Sequence, residues 1–135
     1  MSTSPWSIRY AKEEDLEALV QGNCAIALET EGLKLDQNTV REGVMAVLQN
    51  PTRGFYIVVL SDGEVVGQMM ITFEWSDWRN GCFWWIQSVH VASEFRHKGL
   101  FKALYAHILE EARKTPDICG LRLYVERENE IAQWA

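Results

Sequence analysis

The sequence predicts a single mixed α/β (α+β) domain, in which helices flank a central mixed sheet. Three observations support this fold class. Apolar residues recur at helical spacing in several segments, three strand-like segments follow one another across tight turns, and a strand–loop–helix unit comes next. The length of 135 residues suits one domain, so we expect residues 1–135 to form it.

The N-terminal part of the chain predicts one strand and two helices. Trp6–Tyr10 alternates apolar and polar side chains, as a short strand does. Apolar residues recur at helical spacing after Glu13, and the acidic residues that begin this segment suit the positive end of a helix. We expect a loop over Glu29–Gly32, and then a second helix that is capped by Asp36 and stopped by Pro51.

The middle of the chain predicts an antiparallel meander. The strands are Phe55–Leu60, Val65–Trp75 and Cys82–Val91, which are rich in β-branched and aromatic residues. Ser61–Glu64 and Arg79–Gly81 separate them as hairpin turns, because Asp-Gly and Asn-Gly pairs tolerate positive φ. Four tryptophans surround the second turn, where they either pack across strands or form a pocket wall: Trp75, Trp78, Trp84 and Trp85.

The last part of the chain predicts a helix and a strand. An apolar stripe begins at Phe101, and Thr115–Pro116 ends this helix. Leu121–Val125 alternates as a strand, and Glu128–Ala135 has the composition of the first turns of another helix. Because the strand would leave an exposed edge, we expect it to pair with another chain, for example in a homodimer.

Charge and composition exclude several classes of protein. The net charge of −6 disfavours binding to nucleic acid or an anionic membrane and favours a cationic small molecule. Three cysteines without a C-x-x-C pair predict neither a disulfide framework nor a zinc ribbon, and the histidines lack H-x-x-x-H spacing, so we expect no metal. The sequence shows neither a signal peptide nor an apolar run of membrane length, which predicts a cytoplasmic protein.

The segment before the last helix concentrates basic residues at a helix start. Arg96, His97 and Lys98 precede Gly99, which has no Cβ to obstruct a ligand. The first amides of a helix lack intrahelical partners and carry the positive end of its dipole, so they bind phosphate well. An ordinary strand-to-helix turn with solvated charges is the alternative. The segment lacks the Gly-Lys-Ser/Thr of a nucleotide P-loop and the further glycines of a dinucleotide site.

This segment resembles the acetyl-coenzyme A signature of the GNAT superfamily of N-acetyltransferases, Q/R-x-x-G-x-G/A. Arg96 matches the first position and Gly99 the central glycine, whereas Phe101 departs from the final small residue. The order of elements also agrees over nearly the whole chain. The resemblance implies a GNAT-like central sheet with an antiparallel meander and flanking helices, without the last two strands of the family at the C-terminus.

The resemblance implies that acetyl-CoA is the co-substrate. The main chain of the signature strand would pair with the pantetheine amides, and the amides of the helix start would hold the pyrophosphate. Asn129 would contact the coenzyme arm. The implied coenzyme residues are Val89, His90, Val91, Arg96, His97, Lys98, Gly99, Leu100, Phe101 and Asn129.

The implied reaction is direct transfer of the acetyl group from the thioester to a primary amine of a small molecule or a protein. The alternative is a non-catalytic acyl-CoA-binding module, because the family's general-acid tyrosine would lie just beyond Ala135 and Phe101 departs from the signature. A third possibility is an interaction domain without a ligand.

Several side chains are candidates for the proton transfers. Glu74, near the end of the long strand, is the candidate general base, with a solvated edge carboxylate as the alternative. Tyr124 could act as a substitute acid, and His90 is expected to pack or to lie at the surface. Glu29 and Glu31, in the expected loop, would attract a cationic amine or remain solvated.

Overall fold

The computed structural model describes residues 6–123, which form one five-stranded sheet with helices on both faces. The order of elements confirms the predicted mixed α/β fold with its central meander. In chain order the elements are β1 (Trp6–Tyr10), α1 (Leu16–Glu31), α2 (Gln37–Gln49), β2 (Phe55–Ser61), β3 (Glu64–Ser76), β4 (Gly81–Val91), α3 (Leu100–Lys114) and β5 (Ile118–Leu123), with short 3-10 turns at Glu13–Asp15 and Ser93–Phe95.

The strands follow the order β1-β2-β3-β4-β5 across the sheet. Neighbours from β1 to β4 are antiparallel, whereas β5 lies parallel to β4. A parallel neighbour needs a crossover connection, which α3 provides on one face of the sheet. The final strand begins at Ile118, earlier than the predicted Leu121, because Gly120 pairs with Phe83 of β4 instead of forming a turn.

The face of the sheet under α3 carries the larger hydrophobic core. Leu104 and Ile108 of α3 are fully buried, four residues apart on one side of the helix. They pack in the same cluster as Met69, Trp84 and Ile86 from the two central strands. Burial of this apolar surface is the main source of stability for the fold.

The opposite face is covered by α1 and α2, with a smaller cluster beneath them. Leu19 and Val20 of α1 meet Val44 of α2 and the side chains of Tyr56 and Val58 on β2. Val44 therefore lies on the face of α2 that packs toward α1 and the sheet. Sequence alternation along β2 sends successive side chains to the two faces, so one strand contributes to both clusters.

Helix α1 extends further than the sequence pattern predicts. The predicted loop over Glu29–Gly32 is wrong, because α1 continues through Glu31 and ends only at Gly32, whose φ is 65°. The Leu33 amide then donates to the Ala27 carbonyl at 3.1 Å, as in a glycine-terminated helix. Gly32 alone is the stop signal, and the acidic residues before it remain helical.

Both predicted hairpin turns are confirmed. Asp62 and Gly63 have φ values of 51° and 80°, and Asn80 has 49° before β4 begins. At the second hairpin, Trp84 is buried and its ring centroid lies 5.2 Å from that of Phe55. Cross-strand packing is therefore correct for Trp84.

The predicted residues Tyr124 and Asn129, and the helix expected over residues 128–135, lie outside the described residues. No helix within residues 6–123 is long and apolar enough to cross a membrane.

Candidate active site

A bulge interrupts β4 at Ser88. This residue has a φ of 49°, a left-handed conformation that is uncommon for residues other than glycine. On β3, Gln68 pairs with His90 and Met70 pairs with Gln87, so two residues of β4 oppose one residue of β3. The bulge lies just beyond the last described pair between β4 and β5, which is Ile86 with Leu123.

Beyond the bulge, the main chain of β4 is open on the β5 side as far as the described residues extend. Within the described residues, β4 pairs with β5 only as far as Ile86. The Ala92 amide donates to the Val66 carbonyl of β3 at 2.8 Å. Because every second residue of an antiparallel strand directs its amide and carbonyl to the same neighbour, those of His90 also face β3. Because the peptides are trans, the Val89 carbonyl and the Val91 amide point away from β3.

Arg96 ties this strand to α1 instead of extending into solvent. Its Nε donates to the Val91 carbonyl at 2.9 Å, and its Nη2 donates to both carboxylate oxygens of Glu29, at 3.0 and 2.8 Å. The Arg96 side chain is 15% exposed. Its charge is therefore already matched by a carboxylate, and its structural effect is to fix the loop before α3 to the end of α1.

The loop before α3 presents main-chain amides at the surface. His97 and Gly99 both have positive φ, at 63° and 87°, and a Cβ added at Gly99 would meet no atom within 4 Å. The first helical hydrogen bond of α3 runs from the Ala103 amide to the Gly99 carbonyl at 3.0 Å. The amides that precede Ala103 in the first turn therefore have no carbonyl of α3 to bind, and they can donate hydrogen bonds to an anion.

His90 lies close to these charges but is partly buried. Burial lowers its pKa below the ordinary 6.5, the charge of Glu29 acts in the opposite direction, and the charge of Arg96 adds to the lowering. The imidazole is therefore neutral at pH 7.

A cavity of about 690 Å³ lies beside the bulge, between the sheet and the helices α1 and α2. Two predicted coenzyme residues, Val89 of β4 and Phe101 of α3, line it. The cavity extends from the open side of β4 to the gap between α1 and α2. None of the four tryptophans around the second hairpin contributes to its wall, so the pocket-wall interpretation of them is wrong for this cavity. The other lining residues are Asn23, Ile26, Ala27, Thr30, Glu31, Leu35, Val40, Gly43, Val44, Val47, Tyr56, Met70, Ile86, Gln87, Ser88 and Leu123.

Three residues of the cavity floor, Asn23, Tyr56 and Ser88, belong to a hydrogen-bond network that includes the buried Gln68 beneath them. The Asn23 amide donates to the Tyr56 hydroxyl at 3.2 Å, and Gln68 donates to Asn23 Oδ1 and to the Ser88 carbonyl, both at 3.4 Å. Burial raises the pKa of Tyr56, more than the Asn23 hydrogen bond lowers it, so the phenol keeps its proton. Gly22 of α1 makes room for this network, because a Cβ there would overlap Gln68 Oε1.

Comparison with known proteins identifies this arrangement. The acetyltransferase (GNAT) family model matches residues 8–133. The chain belongs to the GNAT acetyltransferase family. A possible acetyltransferase from Clostridium difficile 630 is 45% identical, with a TM-score of 0.87 over 96% of this chain and 85% of that one. No curated protein matches the sequence significantly.

More distant GNAT structures share the fold. Glucosamine-6-phosphate N-acetyltransferase from Arabidopsis thaliana is 17% identical, with a TM-score of 0.71 over 96% of this chain and 88% of that one. A predicted acetyltransferase with acetyl-CoA from Clostridium acetobutylicum is 15% identical, with a TM-score of 0.74 over 95% of this chain and 86% of that one. The described sheet of this GNAT domain ends with β5, the strand at Ile118–Leu123.

The two carboxylates expected together near the acceptor have separate positions in this GNAT domain. Glu29 is paired with Arg96, whereas Glu31 lines the cavity. Both belong to the last turn of α1 and not to a loop. Of the lining residues that the structure describes, Glu31 is the one with a carboxyl side chain.

Glu74 lies on the cavity side of the sheet but further along β3. It accepts a hydrogen bond from the Trp85 indole, and the Nη1 of Arg122 lies 4.0 Å from its Oε1. At about 3.3 Å per strand residue, Glu74 is about 13 Å along β3 from Met70, which lines the cavity. Its role as a base stays a prediction.

Sequence reasoning missed the residues that shape the cavity. Gln68 carried a usable signal, since a glutamine inside an apolar strand must find a partner when it is buried. Nothing in the local pattern distinguishes Asn23, whereas Gly43 is an unusual residue inside a helix but does not by itself indicate a cavity. Among the described residues, no group of three or more His, Cys, Asp or Glu could hold a metal ion.

Proposed function

We propose that the protein is an N-acetyltransferase that moves an acetyl group from acetyl-CoA to a primary amine. The supporting observation is that one cavity connects the open side of β4 with the space between α1 and α2. Two reactants that enter from opposite ends would meet at Ser88 and Val89. Family membership supports acyl transfer in general, and the Clostridium acetobutylicum relative supports the choice of coenzyme.

The residues around β4 and α3 suit the coenzyme. The Val89 carbonyl and the Val91 amide can pair with the pantetheine amides in the manner of an added strand. The amides from His97 to Phe101 suit the pyrophosphate, with Gly99 leaving open space above the main chain. His90 and Arg96 act differently from the other predicted coenzyme residues, because the His90 main chain turns to β3 and the Arg96 guanidinium binds Glu29 and Val91. When bound, the coenzyme supplies the activated acetyl group as a thioester.

The cavity favours the neutral form of the amine. An alkyl amine has a pKa near 10.4, and it must lose a proton before it attacks a carbonyl. The apolar wall disfavours the ammonium ion by desolvation, and a nearby carboxylate can take the proton. Glu31 and Glu74 are the two candidates. A main-chain amide of β4 can stabilise the negative charge that develops on the reacting oxygen.

The test of this function is amine-dependent release of coenzyme A thiol from acetyl-CoA. Wild-type protein should release thiol with at least one primary amine and should melt at a higher temperature with acetyl-CoA. Gly99→Glu should lose both effects, because its carboxylate repels the diphosphate. Gly99→Ala is the control, since it has the same left-handed backbone strain without the charge.

The non-catalytic alternative gives a different result. An acyl-CoA-binding module would be stabilised by acetyl-CoA without amine-dependent thiol release, and a domain without a ligand would show neither effect. To choose the base, Glu31→Gln and Glu74→Gln should be compared across pH. The variant that loses the carboxylate base should lose kcat by about 100-fold, whereas the other should remain close to wild type.

We also propose that two copies pair along the outer edge of β5. Within the described residues, β5 has a strand partner on one side only. Sedimentation at high concentration tests this pairing, and a strictly monomeric species would contradict it.

A further inference from the structure

The wall of the cavity is mainly aliphatic. α2 contributes Val40, Gly43, Val44 and Val47, which recur at helical spacing and so face the cavity together. α1 adds Ile26 and Ala27, and the sheet adds Met70 and Ile86. A surface of this kind stabilises a ligand by removing apolar area from water.

Gly43 adds space to this wall. It lies in the middle of α2, where its backbone is helical and glycine is less stable than any ordinary residue. A Cβ at this position would meet no atom within 4 Å. The missing side chain is therefore required neither by the backbone nor by a packed neighbour. Gly43 is exposed, so its effect is a recess at the mouth of the cavity.

The charges of the cavity favour cations and disfavour anions. None of the described lining residues is a lysine, arginine or histidine, and Glu31 is the acidic one. A phosphate or carboxylate on the acceptor would lose its hydration without gaining a cationic partner. An ammonium group is attracted to Glu31, but the aliphatic wall offers no partner to a second ammonium group.

The polar atoms on the floor do not require a polar ligand. Asn23, Gln68 and the Ser88 carbonyl already share hydrogen bonds, and Asn23 also binds Tyr56. Among the described residues, no buried side-chain nitrogen or oxygen is left without a partner. An apolar group can therefore fill the cavity without breaking the floor network.

We infer that the acceptor is a primary amine on a bulky apolar group, aromatic or branched aliphatic, which packs against α2 in the recess at Gly43. This inference rests on the proposed function and specifies its substrate class. The amine lies toward Glu31 and the bulge of β4, and the apolar group lies between α1 and α2. Sugar phosphates, amino acids and polyamines are disfavoured by the same wall.

The experiment compares amines of different chemistry on wild-type protein and two variants. The amines are 2-phenylethylamine, ethylamine, spermidine and glucosamine 6-phosphate. Gly43→Phe fills the recess, and Glu42→Phe places the same side chain on the exposed neighbouring position of α2 as the matched control. Thiol release gives kcat/KM, and calorimetry with free coenzyme A present gives amine binding without turnover.

Wild-type protein should prefer 2-phenylethylamine over each of the other amines by about tenfold or more in kcat/KM. Gly43→Phe should lower the value for 2-phenylethylamine about tenfold and change that for ethylamine less than about twofold. Glu42→Phe should change neither. The melting temperature of Gly43→Phe should not fall, since the substitution removes a helix-interior glycine.

Other results separate the two proposals. A preference for spermidine or glucosamine 6-phosphate, or an equal effect of Gly43→Phe on large and small amines, would overturn this inference while leaving acetyl transfer intact. If no amine releases thiol, the proposed function fails and calorimetry decides the inference. Binding of 2-phenylethylamine that is lost in Gly43→Phe would then support it, and no binding to wild-type protein would overturn it.

Discussion

The two faces of the sheet have opposite packing. Under α3, the side chains of Leu104 and Ile108 fill the space between helix and sheet completely, with no exposure to solvent. Under α1 and α2, a cavity of about 690 Å³ separates Val44 from the bulge of β4. The same strands build both faces, so the difference comes from the helices and from the bulge at Ser88.

This difference shows where the domain is stable and where it can bind. A filled core gains dispersion and hydrophobic energy from every contact, whereas a cavity gives up those contacts unless a ligand restores them. The α3 face therefore provides stability, and the α1–α2 face provides space for a reaction. Arg96 connects the two, because it bonds to β4 and to the end of α1 just before α3 begins.

The largest expected effect is on the filled face. Ile108→Ala should lower the free energy of unfolding by about 3 kcal/mol, because it leaves a void in close-packed surroundings. Val44→Ala on the other face should cost about 1.6 kcal/mol for two methylene equivalents, with little added cavity cost beside an existing cavity. Urea unfolding measures both, and equal losses would contradict the comparison.

The second effect concerns the connection between the faces. Arg96→Met should lower stability by about 2 kcal/mol, because it removes three hydrogen bonds of a charged group. It should also weaken acetyl-CoA binding, since the loop before α3 is no longer held to α1. Arg41→Met is the control, because its pair with Glu17 is exposed and should contribute little to stability. Unchanged coenzyme affinity in Arg96→Met would show that the loop is held by other contacts.

A third effect depends on pH and lies at the start of α1. Burial acts to raise the pKa of Asp15, but the hydrogen bonds from Arg9 and the Lys12 amide outweigh it, so the pKa lies below the ordinary 3.8. The ionised carboxylate therefore stabilises the fold above pH 3.8, and this contribution disappears as the pH falls through the folded-state pKa. Asp15→Asn should cost about 1.5 kcal/mol at pH 7.

The control for this prediction is Asp36→Asn, because this exposed carboxylate accepts a hydrogen bond from the Thr39 hydroxyl that an asparagine oxygen can also accept. The difference in the free energy of unfolding between Asp15→Asn and wild type should become smaller at acid pH. If this difference is the same at pH 7 and at pH 3, the charge of the Asp15 carboxylate does not stabilise the start of α1.

The smallest effect is a gain in stability. Gly43→Ala should raise the free energy of unfolding by up to about 1 kcal/mol, because alanine loses less backbone entropy in a helix and its Cβ meets open space. A loss of stability would show that the recess at Gly43 is already occupied by another part of the chain.

Sequence periodicity predicts the stable face better than the open one. The helix stripe that contains Leu104 and Ile108, and the turns at Gly63 and Asn80, follow from local rules of spacing and backbone conformation. The predicted start of α3 is also confirmed, because the signal for it, Gly99 directly before the apolar stripe, lies within the segment itself. Such features depend on residues close together in the chain.

The open face depends on contacts between distant residues. Glu29 was expected in a loop and instead pairs with Arg96, which lies 67 residues away. Asn23 and Gln68 are 45 residues apart, and the left-handed Ser88 belongs to a strand that otherwise reads as regular. No local pattern encodes these pairings, so the cavity and its floor could be described only from the folded chain.

The most direct test of this account is a crystal structure with acetyl-CoA bound. We expect the pyrophosphate on the main-chain amides from His97 to Phe101, the pantetheine paired with the Val89 carbonyl and the Val91 amide, and the thioester facing the cavity beside Ser88. Coenzyme bound on another surface, with these amides free, would contradict the account.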